Sequence, residues 1–189
     1  GSQRYKKNAE IPLIMVVDEK IEEAEYFLDK IKKSTERKDF IPNLSAYLCA
    51  TRSIPDYLLE DYNLKYGLKI SLDKTLNKDV FEEVATKRNN PNASAFIKGY
   101  NNAFKKLIRD RIAKLLLTKR NIIVHRTDRP LQKKVSASII ENVDRHSTVS
   151  NTSVKWFFDD YKEADVIQVC KEFLRLMNNF VNNVTTKYP

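Results

Sequence analysis

The residues best equipped for chemistry lie together in "KRNIIVHRTDRP", Lys119 to Pro130. The chain has only two histidines, and one of them, His125, stands here, five positions after Arg120 and four after Asn121. On a helix, positions four apart share a face, so Asn121 and His125 point the same way and the long Arg120 side chain can reach round to them. Histidine titrates near neutrality and can take or return a proton. Arginine carries a permanent planar charge suited to stabilising phosphoryl oxygens. Ile122, Ile123 and Val124 pin the segment to a core, which would hold the polar groups still. The bland alternative is a histidine near a helix C-terminus, favoured by the dipole, beside a solvated arginine. Lys119, Arg126, Arg129, Lys133 and Lys134 flank the group and could hold a polyanion backbone; each alone reads more readily as a surface charge than as a specific contact.

Composition narrows what such a group could serve. At 189 residues the chain is long enough for one domain with a real core. A net charge of +9 favours polyanionic partners, although a solvated lysine face gives the same total. Three glycines argue against a glycine-rich phosphate loop and against a barrel or sandwich full of tight turns. Cys49 and Cys170 sit in apolar helical patterns and read as buried thiols in a cytoplasmic protein, with a disulfide between them left open. Two cysteines and two histidines, widely spaced, offer no zinc site, so neither a metal nor a cofactor is expected. "IPLIMVV" is too short to span a membrane and runs straight into charge. Gly1-Ser2 reads as a cloning remnant and residues 1–10 as loose. A single domain is expected over 11–189.

The elements that must position the group follow from periodicity. The spacing predicts a helix over about 17–33 on Ile21, Ala24, Phe27, Leu28 and Ile31. A second, about 41–64, buries Leu44, Tyr47, Leu48, Thr51, Leu58, Leu59 and Tyr62. Pro42 falls in its first turn and Pro55 is expected to kink it. A further stripe on this helix carries Ser45, Cys49, Arg52 and Asp56. Arg52 and Asp56 read either as an ion pair one turn apart or as the lining of a site. A short helix over 78–87 is followed by a loop in which Asn92 or Ser94 caps a long helix, about 95–124. The β-branched stretches of 131–158 predict a hairpin turning near Asp144 to His146. A last amphipathic helix uses Val166, Val169, Cys170, Phe173, Leu174, Met177, Phe180 and Val184.

"RNIIVH" resembles the Arg-x4-6-His signature of HEPN domains (higher eukaryotes and prokaryotes nucleotide-binding), in which the arginine is usually followed by Asn, Asp or His, as Asn121 follows here. "LSAYLCATRSIPDYLLEDY" is similar to the second helix of uncharacterised bacterial and archaeal members. The resemblance implies a mainly α, HEPN-like helical bundle, here with a β-hairpin inserted before the last helix. It also implies metal-independent endoribonuclease chemistry with Arg120 and His125 as the catalytic pair, Asn121 in support, and two protomers facing each other across a dimer axis. A neutral His125 would take the ribose 2′-OH proton, or a protonated one would serve the 5′-oxygen leaving group, while Arg120 stabilises the phosphorane-like charge. One histidine per motif is too few for an acid–base pair, which a homodimer would solve. Single-stranded RNA is the implied substrate, in a toxin or antiviral setting. The other expectation is a non-catalytic HEPN module that binds RNA or nucleotide, or a partner such as a nucleotidyltransferase. A DNA-binding bundle is a third reading, but no helix-turn-helix signature supports it.

Overall fold

The computed structural model describes residues 15–71, 76–117, 131–142, 147–159 and 161–189, with the backbone alone at 132, 137–142 and 147–152. The chain is mainly helical, with a two-stranded antiparallel hairpin before the last helix. In order it forms α1 (Val16–Lys33), α2 (Arg37–Lys65), α3 (Lys78–Lys87), α4 (Pro91–Leu107), α5 (described over 111–117), β1 (Leu131–Asn142), β2 (Ser147–Phe158) and α6 (Val166–Lys187).

α1 lies along α2, and α6 packs against α1, α2, α4 and β2, so the last helix sits at the centre of the contacts. The apolar stripe expected on α6 is buried throughout. Its N-terminus carries a capping box, Asp165 Oδ1 accepting from the Gln168 N–H at 3.0 Å and Gln168 Oε1 from the Asp165 N–H at 3.2 Å. Tyrosine hydroxyls tie the elements together at backbone carbonyls, two of these bonds buried and the third partly so. Tyr47 donates to the Cys170 carbonyl at 2.6 Å, Tyr100 to that of Pro55 at 3.1 Å, and Tyr62 to that of Tyr188 at 2.6 Å.

α1 has no capping side chain of its own, because its N-cap is Met15. Asp61, buried on α2, supplies the cap from a distance. Its two carboxylate oxygens accept from the N–H groups of Val16 and Val17 at 2.8 and 2.9 Å.

Three boundaries differ from expectation. α2 begins at Arg37, so Pro42 lies more than one turn inside the helix instead of in its first turn, and the helix continues through Pro55. α4 is capped by Asn90, whose Oδ1 accepts from the Ala93 N–H at 2.9 Å with Pro91 at the first helical position; neither Asn92 nor Ser94 is the cap. The preceding Asn89 takes a left-handed φ of 48° and closes α3, so "NNP" ends one helix and starts the next.

The third difference bears on the motif. The single helix expected over 95–124 is interrupted after Leu107. Asp110 restarts it as an N-cap, its Oδ1 accepting from the N–H groups of Ile112 and Ala113 at 2.8 and 3.2 Å. The break turns Ile108, expected in the core, out to 39% exposure.

Candidate functional site

Arg120, Asn121 and His125, with Lys119, Arg126 and Arg129, fall within 118–130, outside the described residues, as does the expected turn at Asp144 to His146. What is described is the frame on either side. α5 enters the segment with Ala113 and Leu116 fully buried. β1 leaves it with Leu131 buried beside Trp156 and Phe158. The thirteen-residue stretch thus departs from one core-anchored element and returns to another.

Lys133 and Lys134 are adjacent on β1, and strand alternation sends them to opposite faces of the hairpin. Lys133 lies on the face that meets the bundle, opposite Trp156. Trp156 stacks on Phe40 of α2 at 4.6 Å between ring centres and 18° between planes. The Lys133 ammonium sits 5.6 Å from the Trp156 ring and 3.9 Å from Glu36 Oε1, so its charge is already engaged. The buried Trp156 indole N–H has no hydrogen-bond partner among the described residues. Lys134 is exposed on the other face and lies 4.9 Å over the Phe157 ring. Its cross-strand partner is Lys155.

Arg52 and Asp56 come together elsewhere. They line a cleft of about 270 Å³ between α2, α4 and the start of α3, with Pro55, Leu59, Asn77, Tyr100 and Phe104 among its other walls. Both side chains are exposed, and no ion pair forms between them among the described residues. Partial burial raises the Asp56 carboxyl above its ordinary pKa, and the Arg52 charge works against that shift. The Tyr100 phenol is pushed far up by burial and, to a lesser degree, by the Asp56 charge. A buried hydroxyl that donates to a carbonyl and holds its proton this firmly is a structural strut rather than an acid catalyst. The cleft therefore offers a cation with no ion-pair partner among the described residues, a carboxylate and an aromatic wall.

Sequence reasoning did not single out Tyr100 and Asn77 as cleft walls, or Lys155 and Phe157 on the hairpin. The last two were within reach: once the hairpin register is known, Lys155 must face Lys134. The register itself depends on which strand residues the bundle buries.

Cys49 and Cys170 are both free thiols; Cys170 is buried and Cys49 partly so. Among the described residues no group of three or more His, Cys, Asp or Glu is placed to hold a metal ion. No described helix is long and apolar enough to cross a membrane. No family model, curated protein or solved structure matches the chain.

Proposed function

We propose that the protein is a HEPN-type, metal-independent endoribonuclease that cleaves single-stranded RNA. The observation that carries this reading is the Arg120-Asn121-x3-His125 motif, an acid–base group and an anion-stabilising fork at a spacing that resembles the HEPN signature. The helical bundle is compatible with it, and the core-anchored elements on both sides suit a segment that must hold polar groups rigidly. Two copies of the motif, one from each protomer of a homodimer, supply the two histidines that acid–base cleavage uses. His125 of one copy removes the 2′-OH proton while that of the other protonates the departing 5′-oxygen, and Arg120 stabilises the pentacoordinate charge. The products are a 2′,3′-cyclic phosphate and a 5′-hydroxyl. A toxin or antiviral role in the cytoplasm, with a nucleotidyltransferase as a possible regulating partner, fits this chemistry.

The test is incubation of purified protein with single-stranded RNA in excess chelator, followed by end-group analysis. Cleavage to cyclic-phosphate ends supports the proposal. RNA that is bound but never cut would move the chain to the non-catalytic HEPN reading.

A further inference from the structure

Antiparallel pairing sets Lys134 directly opposite Lys155, between the pairs Val135–Val154 and Lys133–Trp156. Side chains directly opposite on one face have Cβ atoms about 4.5–5.5 Å apart, and like charges at that distance destabilise the hairpin. Both lysines are exposed. The register places Ser136, Ser153 and Phe157 on the same face, so over this stretch it holds no acidic residue among the described residues. The opposite face is different, because there Lys133 is answered by Glu36 and covered by Trp156. A lysine pair with no carboxylate partner among the described residues, beside a half-buried aromatic ring that one of the two ammonium groups overlies, with two serine hydroxyls further along, therefore marks the outer face.

We infer that this outer face of the hairpin base is a docking surface for single-stranded RNA, with the Lys134–Lys155 pair holding backbone phosphates and the Phe157 ring stacking a base. The inference rests on the proposed action on RNA and adds to it a named path for the strand. Charge complementarity selects the occupant. A second copy of this face would bring four lysines together, whereas a phosphate between two ammonium groups removes their mutual repulsion. The Lys134 ammonium lies over the half-buried Phe157 ring, so a base stacks there as that ammonium swings onto a phosphate, and only an unpaired base offers a free ring face for it, which favours a single strand over a duplex. In sequence, Lys134 follows His125 by nine positions, so the surface and the proposed cleavage motif belong to neighbouring stretches of chain. Lys155 thus enters as a substrate-binding residue, and Lys133 is assigned to holding the hairpin on the bundle.

Binding is measured with a fluorescent 2′-O-methyl single-stranded oligomer, which cannot be cleaved through its 2′-oxygen, so that binding is read independently of catalysis. Replacing Lys134 and Lys155 together by Ala should weaken binding and flatten the slope of log affinity against log salt by about 1.4, two phosphates at about 0.7 each for a single strand. Lys155→Glu should weaken RNA binding and also raise the melting temperature, because it turns a repulsive cross-strand pair into an attractive one. Phe157→Leu should weaken the oligomer about tenfold and leave inorganic polyphosphate, which has no bases, unaffected. An unchanged affinity and salt slope in the folded double-alanine protein overturns the inference, as does Lys155→Glu binding RNA as wild type does. Cleavage of unmodified RNA is scored separately. A flattened slope without any cleavage keeps this surface and removes the ribonuclease reading, whereas cleavage with an unchanged slope does the reverse.

Discussion

At the scale of single residues, three positions make the physics of this chain measurable. Gly99 lies inside α4, where alanine would ordinarily improve helix stability by about 1 kcal/mol. A Cβ there would meet the Tyr188 ring, with ring carbons at 2.5 and 2.7 Å. The Tyr188 ring packs edge-on against Phe96, 5.8 Å between ring centres at 81°, so giving way to the new methyl costs that contact. Overpacking typically costs about 1–3 kcal/mol, so Gly99→Ala should lower stability, and denaturant unfolding gives the sign. Asp61→Ala removes both acceptors from the start of α1 and should cost about 2 kcal/mol, since the bonds are charge-assisted and buried. Asp56 makes a pH prediction. Its carboxyl pKa is raised in the fold, so its favourable contribution is full below the unfolded pKa of about 3.9 and lost as pH rises through the folded value. Asp56→Asn should accordingly be stabilising at neutral pH and neutral in acid. Arg52→Gln should push the Asp56 carboxyl further up, visible in its NMR titration.

Elements were the most legible level in the sequence wherever one apolar stripe dominated. α3 and the apolar stripe of α6 could be read almost directly, because burial alone decides them. Legibility failed where a short polar side chain competes with the helix. Asp110 sits in a run whose apolar spacing continues past it, and periodicity by itself therefore extends α4 through it. The same holds for Asn90, which wins over Asn92 and Ser94 because Pro91 fits the first helical position and Asn89 accepts the left-handed turn before it. The Asp61 cap joins positions 45 apart and could not be read locally. Asp110→Ala should cost about 1 kcal/mol and loosen the entry to the motif segment, which hydrogen exchange at the Ile112 and Ala113 amides would register. Of the candidate site, the residue types were legible and the hairpin partners were not: Lys155 acquires meaning only through strand register.

At the scale of the whole molecule, one histidine per motif calls for a homodimer in which the two His125 side chains approach each other. Light scattering at micromolar concentration should give twice the monomer mass; a monomer whose motif lies remote from any partner surface would count against the arrangement. The net charge of +9 should also make RNA association steeply salt-dependent. Ribonuclease action by His125 is decided by comparing wild type and His125→Ala on single-stranded RNA in EDTA, with circular dichroism and light scattering as controls. Wild type should cut, and the variant, folded and dimeric, should lose a factor of about 10² to 10⁴ in rate. A folded, dimeric His125→Ala protein that cuts RNA as fast as wild type would contradict ribonuclease action by His125.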